Sequence, residues 1–309
     1  MVKETDVLSV VWGCDPRLQL ERGWVNSLVA PASEEGLLQA STRSSVSHLP
    51  VILVESGLLR LQRDPDPAQL ALQKSQRHQR IQNLASTGRL ALIHLSDEEG
   101  LDGDELYPML PEGTPIWRNF CYPRHRHAHV FPIGPRVEFL WREHDQRSRR
   151  PASARPYPWA FMGTLWASGQ RLKAASLFLR SLPHGYFYGG KGFSQGLPLP
   201  LYQQHLLDSC FALCPDGDRH FDTFRLYESL QCGCIPVVVD QRGMASETLG
   251  GGIPFPIFKT WEEALIWVQQ MLQRPEQLDA LHSLVQHWWW QRRASLARAM
   301  RQTLGLMPS

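Results

Sequence analysis

FALCPDGDRHFDTFRLYESLQCGCIPVVVD, residues 211 to 240, carries strand, turn, helix and strand signals in one unbroken stretch. Cys210 to Cys214 is a short apolar run of the length a buried strand needs. Pro215-Asp216-Gly217-Asp218 breaks it with turn formers. Asp222 or Thr223 can cap the next helix by accepting from its first free N–H groups. Phe224, Tyr227 and Leu230 recur at helical spacing and form its sheet-facing stripe. Gly233 falls where a helix end calls for positive φ. Ile235-Pro236-Val237-Val238-Val239 then reads as a strand buried on both faces.

A strand–helix–strand unit of this length makes a right-handed parallel crossover. Ligands of such sheets sit beyond the C-terminal strand ends, beside helix N-termini whose free amides favour anions. Arg225 and Glu228, three residues apart, share a helix face near that end. Arg225 faces an anionic ligand in this arrangement, and Glu228, one turn deeper, is placed to accept from ribose hydroxyls. The plainer alternative is a solvated Arg–Glu pair on an ordinary crossover helix.

Cys214-Pro215 with Gly217, Asp222-Thr223, Arg225-Leu226-Tyr227-Glu228 and Gly233-Cys234-Ile235-Pro236-Val237 together resemble the signature of the exostosin family of glycosyltransferases. The looser likeness runs from Trp159 to Asp240. The resemblance implies an α/β protein of GT-B type, with two Rossmann-like domains facing a central cleft. It implies an inverting transferase that moves a sugar from a UDP-sugar to a glycan or lipid-linked acceptor hydroxyl. The UDP-sugar is then a co-substrate, and no cofactor or metal is expected. Fucosyltransferases that use GDP-fucose carry a related unit, usually with a Thr-Glu-Lys run where this chain has Arg-Leu-Tyr-Glu. A GDP-fucose enzyme and a non-catalytic nucleotide- or carbohydrate-binding module of the same fold are the two alternatives.

The remaining donor-side candidates come from the start of the same half. Gly163 ends an apolar strand, Trp159 to Thr164, and lets a ligand approach the backbone closely. Arg171 follows, as in the family's Gly-then-Arg arrangement, and is a second candidate for diphosphate contact. Gly189-Gly190-Lys191-Gly192 lacks P-loop spacing and reads as a strand exit or a backbone anion cradle. For the general base, Asp97 follows the apolar run Leu90 to Leu95, with Asp15 as runner-up.

A chain of 309 residues with 43% hydrophobic content can bury two cores of ordinary size. The expected boundaries are a first domain over 1–145, an arginine-rich linker over 146–157 and a second domain over 158–309. The final helices are expected to pack back toward the first domain. A formal charge of +2 gives no argument for nucleic acid as a partner. No run approaches the roughly 18–20 apolar residues of a membrane helix, and the N-terminus has no secretory signal shape, so the expected location is cytoplasmic. Trp288-Trp289-Trp290-Gln291-Arg292-Arg293 is a candidate for peripheral contact with the inner membrane face, or for packing against the first domain. Cys210, Cys214, Cys232 and Cys234 read as buried thiols. His125, His127 and His129 alternate at strand spacing and are a weaker candidate for a metal-binding face.

Overall fold

The computed structural model describes residues 9–15, 17, 19–29, 50–57, 66–86, 88–120, 122–140, 150–165, 169–190, 192, 196–217 and 220–303. Lys191 and Asp218, named above, and residues 146–149 of the expected linker lie outside the described residues. The chain is α/β and divides into two units: residues up to Ile133 with those from Arg293 onward, and Gly134–Arg292.

In the first unit, β1 (Ser9–Trp12), β2 (Val51–Ser56), β3 (Leu90–Leu95), β4 (Ile116–Arg118) and β5 (His129–Val130) form a parallel sheet in chain order. Every residue of β2 and β3 is buried, as unbroken apolar runs in parallel sheets require. Val51, Leu53, Leu90, Leu92 and Ile116 build a core with Ile81, which comes from α2 (Pro67–Ala85). Asp66 caps α2 by accepting from the Ala68 amide, with Pro67 at the first helical position. The histidine alternation does not form a long strand. His125 lies in a 3-10 turn and is buried, with a ring nitrogen 2.9 Å from the Gly100 carbonyl oxygen, while His129 stacks on Trp117. Proline at 123 favours that turn over an extended run.

The second unit holds β6 (Tyr157–Thr164), α4 (Gln170–Ser181), β7 (Tyr186–Gly190), α5 (Leu199–Leu207), β8 (Ser209–Leu213), α6 (Phe224–Gln231), β9 (Ile235–Val239), α7 (Ala245–Leu249), β10 (Ile257–Phe258) and α8 (Trp261–Leu272). Its parallel sheet has the order β10-β9-β8-β6-β7. The chain therefore winds outward from β6 to β7, returns to the other side of β6 at β8, and continues to β9 and β10. Leu226, Tyr227 and Leu230 bury the inner face of α6, and Gly233 ends it at φ 71°. The last helix, α9 (Pro275–Thr303), enters the first unit at Arg293.

Three details differ from the expectations. The division falls before Gly134, because the segment after it is held within the second unit: Arg136 pairs with Glu228 and Phe139 packs edge-on against Tyr202. Arg155 is no solvated linker residue; it is buried and donates to the Ser209 and Cys232 carbonyls. Trp288 and Trp289 pack inside the second unit, Trp288 edge-on to Phe255 and Trp289 donating to Gln231 Oε1.

Candidate functional site

The strand order reverses between β6 and β8, and in open α/β sheets the C-terminal side of such a reversal is where ligands bind. The first unit has no reversal among its described strands. At the reversal, Arg225 from the first turn of α6 folds back across the end of β6. Its Nε donates to the Met162 carbonyl at 3.1 Å, and its guanidinium lies 4.6 Å from the Phe161 ring centroid. Such a cation–ring contact stabilises by about 0.5–1 kcal/mol at accessible sites. A Cβ on residue 163 would stand 2.0 Å from Arg225 Nη2, so glycine leaves the guanidinium room that a larger residue would take. Arg225 Nη1 is shielded from solvent and has no hydrogen-bond partner among the described residues.

Thr223 stands at the N-cap of α6 in extended backbone, φ −136° and ψ 149°, and its side chain makes no capping bond. Its Oγ1 is likewise shielded and without a partner among the described residues. The helix N-terminus therefore receives no hydrogen bond from its N-cap side chain, next to a guanidinium with a spare donor. A helix N-terminus without a side-chain cap and a neighbouring cation favour an anion there.

Arg171, on α4, braces this site rather than presenting its Nε and Nη1 to a ligand. Its Nε donates to the Asp216 carbonyl at 2.9 Å and its Nη1 to the Thr164 carbonyl at 3.0 Å, joining the ends of β8 and β6. The loop it holds closes on itself through Gly217 N to His220 O at 2.6 Å. A Cβ on residue 217 would lie 3.5 Å from Thr223 Cγ2, which places this loop against the α6 N-cap. Gly163, Thr164, Arg171, Asp216, Gly217, Thr223 and Arg225 thus lie together around the ends of β6 and β8 and the start of α6.

Two expected ligand contacts are already engaged. Glu228 is 1% exposed; Arg136 Nε donates to one carboxylate oxygen and the Tyr202 hydroxyl donates to the other at 2.9 Å. Burial and the adjacent carboxylate push the Tyr202 hydroxyl well above its usual range, so it stays a donor. Asp222 accepts from the Tyr227 hydroxyl inside the helix packing.

The candidate base also has a structural task. Asp97, 5% exposed, accepts from the Asp102 and Gly103 amides at 3.2 and 3.1 Å and from Arg118 Nη2 at 3.1 Å. It thereby holds the start of α3 (Leu101–Leu106) and partners a buried guanidinium. Both of its carboxylate oxygens are thus engaged by donors of the first unit. Asp15, the runner-up, is paired with Arg17.

The cysteines are placed as packing residues. Burial pushes the Cys210 and Cys214 thiols up to about 11 and Cys234 up to about 12, which makes them poor nucleophiles and ligands. Among the described residues no group of three His, Cys, Asp or Glu is arranged to hold a metal ion. No described helix is long and apolar enough to cross a membrane.

The sequence reading missed Asp216, which it treated as a turn former only. Burial raises its carboxyl to about 6, with Arg242 and Arg171 opposing and Asp240 adding to the rise. Its Oδ1 is shielded and without a partner among the described residues. The Pro-Asp-Gly turn signal gave the residue's place but not its burial.

A family model described as the Exostosin GT47 domain matches residues 119–283. Exostosin-1 of Drosophila melanogaster is 35% identical over 77 residues, which is 24% of this chain and 9% of that protein.

Proposed function

The chain belongs to the exostosin GT47 family, and on that premise we propose that it is a glycosyltransferase using a UDP-sugar. The donor diphosphate lies at the N-terminus of α6 between Thr223 and Arg225, over Gly163. The single observation that carries this is the Arg225 guanidinium, fixed over Gly163 with Nη1 shielded and without a partner among the described residues. Shielded donors without partners are rare in folded proteins and call for an explanation, which a bound anion supplies.

In the proposed reaction an acceptor hydroxyl oxygen bonds to the anomeric carbon from the face opposite the diphosphate. The carbon–oxygen bond to the β-phosphate breaks, and UDP leaves with the electron pair. Charge grows on the leaving phosphate oxygen, where Arg225 and the α6 amides are set to stabilise it without rearranging. The acceptor proton passes to a base that is not assigned to Asp97. Inversion, the glycan or lipid-linked acceptor and the GT-B arrangement of two Rossmann-like domains belong to the same proposal, and rest on the family resemblance.

Thermal-shift measurements with UDP, GDP and their sugars, followed by a UDP-release assay, test this. Stabilisation by UDP and UDP-sugars, with release of UDP when an acceptor glycan is added, is the expected result. Stabilisation by GDP alone points to a GDP-fucose enzyme. UDP binding without donor turnover points to a binding module. No response to any nucleotide overturns the donor site.

A further inference from the structure

We propose that Asp216 is the residue that accepts a hydrogen bond from a sugar hydroxyl of the donor, the task that the sequence assigns to Glu228. This rests on the donor-site reading above. Three carboxylates around the switch point are engaged by donors of the chain itself. Both Glu228 oxygens are engaged, by Arg136 and Tyr202. Asp222 accepts from Tyr227. Asp240 holds the loop before α7, accepting from the amides of Arg242, Gly243 and Ala245 at 2.9, 2.8 and 2.7 Å. Asp216 differs: its main chain is pinned by Arg171, yet its Oδ1 is shielded from solvent and has no partner among the described residues.

The position selects the ligand chemistry. Asp216 directly precedes Gly217, which packs against Thr223 at the α6 N-cap. A diphosphate seated on Thr223 and Arg225 brings its attached sugars close to this loop. At pH 7.5 the Asp216 carboxyl, raised to about 6, is mostly ionised and acts as an acceptor only. It repels phosphate oxygens and suits O–H donors, while Arg171 and Arg242 offset its charge. Two parts of the donor carry such hydroxyls, the ribose and the transferred sugar.

Calorimetric titrations of the parent chain, Asp216→Ala and Asp216→Asn with pyrophosphate, UDP, UDP-glucose and UDP-N-acetylglucosamine test the assignment at pH 7.5. The alanine variant is expected to bind a nucleotide-sugar at least tenfold more weakly. The asparagine variant, which keeps an acceptor oxygen, recovers part of that loss. Pyrophosphate binding is unchanged or tighter in both. A loss shared by UDP and its sugars assigns the contact to the ribose, and a loss confined to the UDP-sugars assigns it to the transferred sugar. Equal binding of all ligands by parent and alanine variant overturns the inference, as does a loss that extends equally to pyrophosphate. Failure of the parent chain to bind any of these ligands is distinct, because it removes the donor site itself and this inference with it.

Discussion

Arg225 occupies the volume that a side chain on residue 163 would need: a Cβ built there lies 2.0 Å from Nη2. The contact joins a helix to the strand next to it across the switch point of the second sheet. It explains in one geometry why a glycine stands next to the end of β6 and why an arginine sits at the positive end of a helix dipole. In the absence of an anion the dipole disfavours that charge by some tenths of a kcal/mol.

Gly163→Ala tests the contact. The obstructing atom is the end of a flexible side chain, so the fold is expected to survive with a Tm within a few degrees of the parent. Arg225 must leave its place, and UDP affinity should fall about tenfold, or about 1.4 kcal/mol. A variant that binds UDP like the parent contradicts the proposed role of the pair.

Arg225→Ala and Arg225→Lys separate charge from geometry. Arginine here donates to Met162, covers Phe161 and keeps a further N–H for a ligand. Lysine supplies a point charge without the planar fork. Titration calorimetry should show UDP binding at least about tenfold weaker in the alanine variant, with lysine restoring only part of it. Full restoration by lysine limits the site to simple charge attraction.

Asp216 sets a pH test of stability. Its folded-state pKa of about 6 lies above the ordinary 3.8, so between those values the folded chain holds the proton more tightly than the unfolded chain. Stability from this group is present below about pH 4 and is lost as pH rises to about 6. Asp216→Asn, neutral throughout, should therefore be more stable than the parent at pH 7.5, by up to about 2 kcal/mol after allowance for partial exposure. Urea melts should show that advantage shrinking toward pH 4. An advantage independent of pH is the contrary result. A residue that weakens the fold and aids binding is a common bargain at functional sites.

Glu228→Ala leaves Arg136 without its carboxylate and Tyr202 without its acceptor. Breaking a buried pair from one side costs about 3–5 kcal/mol, reduced here because Arg136 is 31% exposed. The expected signature is a lower unfolding midpoint in urea. Unchanged stability with lost UDP binding returns Glu228 to the ligand.

Asp97→Asn keeps one acceptor oxygen for the α3 amides but weakens the bond to Arg118. It is expected to lower the Tm while leaving kcat of the folded fraction within about tenfold of the parent. General-base removal usually costs 10²–10⁴-fold, so a loss of that size at unchanged Tm identifies Asp97 as the base after all.

The fold was legible wherever pattern and local chemistry coincide. β3, β8, β9 and the Gly233 helix stop could be read from apolar runs and one glycine. α1 (Arg22–Val29), α5 and α7 were not, being 8, 9 and 5 residues long with little periodicity to detect. At the site, Gly163 and Arg225 were legible separately, from a strand end and a helix start. Their contact was not, because it depends on the strand order β8-β6. The donors to Glu228 and Asp97 were not legible, because a sequence shows a carboxylate's place along the chain but not the groups that other elements bring to it. Arg136 lies 92 residues from Glu228, and Arg118 lies 21 from Asp97.

A crystal structure of the chain soaked with UDP shows where the diphosphate binds. Diphosphate density is expected at the N-terminus of α6, with a phosphate oxygen within about 3.2 Å of Arg225 Nη1 and Gly163 beneath the guanidinium. UDP bound elsewhere, with Arg225 Nη1 still lacking a partner, would contradict the proposed donor site.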